Sequence, residues 1–226
     1  MKIHGTAEGG ALSKKDSGVA FSGGAAPEPE PVFEEDYDST DGWTFDPTSG
    51  NAWTIDSGGN GLLLGTNVPD GNTEQVYRSI GDPLPSEFTL KIEYKPTSDS
   101  NNIYPFCVSY NSTEVNSQTR GIGIKGNGAA QLTLFSVSSG SLTQSSYNTS
   151  MSKDTQYYIK IVNDDSNITM SIFENSDYES DQVGTDVSIT DPNFTDLDTL
   201  QHCGRDDGGG GQSSIAIAKF SVFDDT

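Results

Sequence analysis

From Val32 onward, apolar and polar residues alternate in short runs separated by Gly, Asn, Asp and Ser. In Phe88–Tyr94 the apolar residues Phe88, Leu90, Ile92 and Tyr94 fall on one side, with Thr89, Lys91 and Glu93 on the other. This period of two buries one face of a β-strand and wets the other. The same period marks 158–162, 168–173 and 215–222, and shorter runs predict strands at 53–55, 62–64, 75–80, 104–110, 121–125, 131–137 and 199–203. The polar stretch Val162–Asn167 between two alternating runs predicts a β-hairpin. No segment holds helical spacing over ten residues. The pattern predicts an all-β chain folded as a two-sheet antiparallel jelly-roll sandwich.

Composition modifies this picture at the N-terminus. Residues 1–26 are rich in Gly, Ala and Ser and carry Lys2, Lys14 and Lys15 against Glu8 and Asp16, a net +1, while the remainder holds 9 basic and 31 acidic residues, a net of −22. Residues 27–31 alternate Pro and Glu, a composition that favours an extended polyproline spacer. The expected organisation is a flexible N-terminal attachment arm at 1–26, a spacer at 27–31 and the sandwich at 32–226. With 32% hydrophobic residues and 25 glycines, the sandwich must have a thin core assembled from many short segments.

The whole chain of 226 residues has a formal charge of −21, which opposes nucleic-acid binding. No run approaches the roughly 18 apolar residues of a membrane span. The first residues lack the apolar core of a secretory signal, so the expectation is a protein made in the cytoplasm without a signal peptide. Cys107 and Cys203 read as buried thiols, with a cross-strand disulfide as the alternative. His202 reads as a half-buried strand residue and not as a catalytic base.

The order of landmarks resembles the concanavalin A-like lectin and glucanase superfamily in its laminin-G-like branch. Phe33–Asp38 followed by Gly42-Trp43 is similar to the family's opening acidic-aromatic strand. Ala52–Leu64, with Trp53, Ile55 and Asp56 before the Leu run, is similar to its first hairpin. Tyr77–Ile80 and Phe88–Tyr94 look like the pair making its first sheet contact, Tyr157–Ile161 like a late strand, and Ile215–Val222 like the closing one. The resemblance covers about residues 32 to 226. It implies a lectin-like sandwich, and hydrolases of the superfamily carry paired carboxylates on one strand. No strand here shows that pairing, so the expectation is no enzyme. The resemblance also implies a structural calcium ion, for which Asp36, Asp38 and Asp41 near the first strand and Asp224 or Asp225 after the last are the candidate ligands.

Sugar recognition needs an aromatic platform with polar groups beside it. Tyr104, Tyr110, Arg78, Arg120 and Arg205 are the candidates, among loops rich in Asn and Asp. A lectin-like domain without an export signal points to a virion surface or another extracellular particle. There the arm, through Leu12, Lys14, Lys15, Val19 and Phe21, would dock on a scaffold, capsid or fibre protein within an oligomeric assembly. The arm loosely resembles the attachment segments of viral fibre and decoration proteins. The expected function is a non-enzymatic structural or adhesive module contacting cell-surface glycans, with a free carbohydrate-binding module as the alternative.

Overall fold

Each long alternating run forms a strand, and the strands assemble into two antiparallel sheets. The structure is a computed structural model that describes residues 29–46, 53–56, 61–69, 75–97, 103–113, 115, 118–127, 131–148, 151–204 and 212–226. The chain divides into Met1–Glu30 and Pro31–Thr226, and the fold is that of the second unit. The arm residues Leu12, Lys14, Lys15, Val19 and Phe21, and Arg205, lie outside the described residues.

The strands are β1 (Phe33–Glu35), β2 (Thr44–Phe45), β3 (Trp53–Asp56), β4 (Leu62–Pro69), β5 (Gln75–Ser79), β6 (Phe88–Pro96), β7 (Ile103–Ser109) and β8 (Arg120–Asn127). They continue with β9 (Gln131–Ser138), β10 (Ser141–Gln144), β11 (Tyr157–Asn163), β12 (Asn167–Phe173), β13 (Val187–Thr190), β14 (Thr199–Gly204) and β15 (Gln212–Asp224). One sheet runs β13-β12-β11-β6-β15-β4-β3, with β1 also pairing β15; the other runs β10-β9-β8-β7-β14-β5-β2. None of the described residues forms an α-helix.

The expected hairpin is β11–β12, in which Ile161 faces Met170. The tryptophan-led hairpin is β3–β4, with Trp53 opposite Gly65. First and last strands pair, Phe33 opposite Val222. One expectation fails: β5 and β6 belong to different sheets. The connection between them contains Pro83 and Pro85, which cannot donate to a ladder. Ile80 and Leu84 N–H groups donate to the carbonyls of Asp198 and Leu197 as the chain crosses over.

The core lies between the sheets, where alternation places Leu90, Ile92, Ile159, Ile161, Phe220 and Val222 against Phe106, Val108, Ile122, Ile124, Leu132 and Leu134. The outer face of the seven-stranded sheet carries a second apolar cluster, Tyr104, Cys107, Phe135, Val137 and Cys203, capped by Val115. Both cysteines are buried, and no disulfide joins them. The segment carrying Val115 is clasped onto this face by side-chain amides. Gln201 donates to the carbonyls of Asn111 (2.6 Å) and Thr113 (3.1 Å), Gln75 to Ser112 (2.9 Å) and Gln118 to Asn111 (2.8 Å).

Gly123 makes the cluster possible. A Cβ there would stand 2.3 Å from the Phe106 carbonyl oxygen and 2.8 Å from Cys107 Cα, with the Phe135 ring at 3.0 Å. Two of these three obstacles are backbone and cannot swing aside. Gly123→Ala is therefore expected to destabilise the domain by about 1–3 kcal/mol, the usual range for overpacking. Gly121→Ala, which meets only the ends of Val137 and Cys107 inside 3.4 Å, should cost less. Urea denaturation of the two variants measures the difference, and equal stabilities would contradict this account.

Candidate functional site

Three connections at one end of the sandwich build an open cavity of about 250 Å³, lined by Thr119, Arg120, Ser138, Ser139, Asn193, Phe194, Thr195 and Asp196. Thr119 and Arg120 lead into β8. Ser138 and Ser139 come from the β9–β10 hairpin, whose two turn residues both have positive φ, 49° at Ser139 and 76° at Gly140. That is the type I′ geometry suited to a two-residue hairpin. The remaining four residues belong to the β13–β14 connection. There Asn193 adopts a φ of 54° and its N–H donates to the Asp191 carboxylate (2.8 Å).

Arg120 organises the site. Its guanidinium pairs with the Asp196 carboxylate and lies 4.8 Å from the centroid of the Tyr110 ring. Among the described residues, the Tyr110 side chain is one of the few large apolar groups left open, at 45% exposure. Arg120 Nε and Asp196 Oδ1 are enclosed without a hydrogen-bond partner, so the pair is made end-on and not as a bidentate fork. The result is an exposed aromatic ring beside a neutralised ion pair, with hydroxyl and amide groups around it. Such a surface can take the apolar face of a ring ligand and hydrogen-bond its polar edge.

Of the five residues singled out for ligand binding, Tyr110 and Arg120 come together here. Arg78 and Tyr104 do not. Tyr104 is 1% exposed and packs edge-on against Phe135, 5.1 Å between centroids. Arg78 pairs with buried Glu35 and lies over the rings of Phe33 and Trp43 at 5.5 and 5.6 Å. These two residues stabilise the fold. Asp196, Asn193 and the Ser139–Gly140 turn were not singled out from the sequence, although Ser-Gly between two alternating runs is itself a turn signal.

The acids proposed for calcium are also dispersed. Glu35 faces Phe220 and the strands are antiparallel, so Asp36 is level with Lys219, five residues from Asp224. That separation is about 17 Å at roughly 3.4 Å per residue. Asp36 lies 3.6 Å from the Lys219 ammonium, Asp225 accepts from the Thr89 hydroxyl (2.7 Å) and Asp224 from Thr226 (2.6 Å). Asp38 and Asp41 are exposed. No group of three or more His, Cys, Asp or Glu side chains among the described residues is placed to hold a metal ion. These residues do not fit the ion.

No protein-family model matches the chain, and no curated protein matches it. Solved structures do. The exoplasmic/lumenal domain of VIP36 in a Ca2+/Man2-bound form matches with a TM-score of 0.58 at 11% identity, over 85% of this chain and 87% of that one. The CBM2 module of the evolved Dit of Lactobacillus casei BL23 phage J-1 matches at 0.53 and 13% identity, over 85% and 94%. The fold is a concanavalin-like jelly roll. The GH43 protein BlXynB from Bacillus licheniformis contains the same sandwich, at 0.57 and 12% identity. That match covers 87% of this chain and 40% of BlXynB, so this chain spans less than half its length.

Behind the jelly roll's opening strand sits a buried polar group. His202 is fully enclosed by Tyr37, Trp43 and Trp53, with ring centroids 5.5 to 5.9 Å away. Its Nδ1 is 2.5 Å from the Pro105 carbonyl, which can only accept, so Nδ1 carries the proton. Nε2 then accepts from the Tyr37 hydroxyl at 3.2 Å. Burial pushes the His202 pKa down to about 4, from an ordinary value near 6.5. The unfolded chain takes up the proton first as pH falls. The contribution of neutral His202 is therefore complete above pH 6.5 and is lost on approach to pH 4. Between pH 7 and 4.5 it amounts to about 2–3 kcal/mol. Denaturation curves of wild type and His202→Gln at both pH values test this: the wild type should lose more stability by that amount, and parallel losses would refute it.

Proposed function

We propose that the jelly roll is a non-enzymatic glycan-binding module whose ligand seat is the cavity beside Tyr110, Arg120 and Asp196. The observation that carries this reading is the exposed Tyr110 ring held against the Arg120–Asp196 pair at the rim of a cavity lined by hydroxyls and an amide. The similar structures lend support, since VIP36 is described in mannose-bound forms and the phage Dit domain is a CBM2 module. A binding role fits the cavity better than hydrolysis. Glycoside cleavage uses two carboxyl groups set on either side of the bond, and among the described lining residues Asp196 is the one acid, already paired with Arg120.

The setting in which this module acts is a displayed one, on a virion or comparable particle, with residues 1–26 as the attachment segment. The arm's +1 against −22 for the rest, and the Pro-Glu spacer between them, support this part of the reading. Here the arm serves assembly and the sandwich serves the ligand, so the two are separable.

A glycan array followed by titration calorimetry tests the binding reading. Tyr110→Ala is expected to weaken the best ligand by about tenfold or more, a step of roughly 1.4 kcal/mol, while Tyr110→Phe keeps most of the affinity. An alanine variant that binds like wild type would contradict it. Deleting residues 1–26 should leave affinity and melting temperature unchanged and abolish incorporation into particles. Incorporation of the deleted form would sink the attachment role.

A further inference from the structure

We propose that this cavity selects uncharged sugars and rejects anionic ones, through the pairing of Arg120 with Asp196. The proposal rests on the reading of the cavity as the glycan seat and adds the class of sugar it takes.

An unpaired arginine at a sugar site is the natural anchor for a uronate, sulfate or phosphate group, because its fork of N–H donors matches two oxygens at once. Arg120 is not free to play that part. Asp196 holds its guanidinium from one side and the Tyr110 ring lies against it 4.8 Å away. The pair has no net charge. The other described lining residues, Thr119, Ser138, Ser139, Asn193, Phe194 and Thr195, bring no second cation. An anion would also enter against the field of a chain carrying 33 acidic and 12 basic residues.

The unmatched atoms of the pair point the same way. Arg120 Nε is a donor without an acceptor and Asp196 Oδ1 an acceptor without a donor. A hydroxyl both donates and accepts, so once the pair tilts toward the cavity it can serve either atom. A carboxylate or sulfate can only accept, and it meets Oδ1 as a like charge. The volume of about 250 Å³ lies below the roughly 300–1,000 Å³ of drug-sized pockets, a scale suited to one sugar ring. Tyr110, outside that lining, is left as the platform for the next residue of the chain.

The test is a titration of the full-length protein with matched panels of neutral oligosaccharides (gluco-, manno-, galacto- and xylo-series) and acidic ones (oligogalacturonate, sialyllactose and a sulfated galactan fragment). Neutral members should bind at least tenfold more tightly than acidic ones. Asp196→Asn releases Arg120 and should invert the order, with acidic ligands gaining at least tenfold in a salt-sensitive way and neutral ones losing affinity. Asp196→Ser repeats the test, and the melting temperature of each variant checks that the sandwich stays folded. Acidic and neutral ligands bound equally by wild type, or a ratio unmoved in both variants, would overturn the selectivity while leaving the glycan reading in place. Failure of wild type to bind either panel would overturn both.

Discussion

The register of the thirteen-residue closing strand β15 is the constraint on which the sandwich depends. One edge of β15 pairs with β6, from Ile215 opposite Pro96 to Asp224 opposite Phe88, and the other is shared between β4 and β1. The handover lies between Ile217, opposite Leu63, and Phe220, opposite Glu35. A bulge between Ile217 and Lys219 on the β6 side falls at that point. Strict alternation from Ile215 and Ile217 would turn Lys219 inward. The extra residue resets the phase, so that Phe220 and Val222 enter the core and Lys219 meets Glu34 at 2.9 Å outside it. One residue thus decides whether the last half of the strand is apolar side in or out.

That register fixes the opening strand, and the opening strand fixes the polar interior. With Glu35 facing Phe220, its carboxylate lies under Arg78 and accepts from the Tyr37 N–H at 2.7 Å. Tyr37, at a φ of 53°, then delivers its hydroxyl to His202 on β14. The two sheets are therefore joined by a hydrogen bond as well as by apolar packing. The bond survives burial because each participant has a partner and the histidine is neutral. The same antiparallel pairing carries Asp36 away from Asp224, which is why acids that look clustered by type are not clustered in space.

Alternation made most of the sandwich legible in the sequence, because a half-buried strand must repeat every two residues. The strands that escaped it have physical reasons. β10 is exposed along its whole length and β2 has only two residues, so neither has a buried face to leave a pattern. β13 alternates over only four residues, Val187 and Ile189 inward, too few to stand out. The break of phase in Ile-Ala-Ile-Ala-Lys-Phe-Ser-Val was visible but reads as a continuous strand unless a bulge is allowed for. Tyr104 and Tyr110 bracket the same strand, and type alone cannot tell them apart. The segment clasped by Gln75, Gln118 and Gln201 brings Val115 into the cluster that buries Tyr104, while Tyr110 stays exposed.

The candidate site joins residues distant in sequence. Its three connections are stitched by main-chain bonds: Tyr110 N–H to the Arg120 carbonyl (3.0 Å), Ser139 N–H to Thr119 (2.7 Å), Gly140 N–H to Gln118 (3.0 Å) and Asp198 N–H to Ser109 (3.1 Å). Of the strands they extend, β7, β8, β9 and β14 are paired on both edges, while β10 and β13 are edge strands, so the loops take their fixed starting points from the former. In the proposed binding role, main-chain bonds that already join these loops lower the ordering cost that a wholly flexible loop would add. This preorganisation matters more for a sugar than for an apolar ligand. A sugar exchanges hydrogen bonds with water for hydrogen bonds with protein at little net gain, so its affinity depends on how little must be ordered to make them.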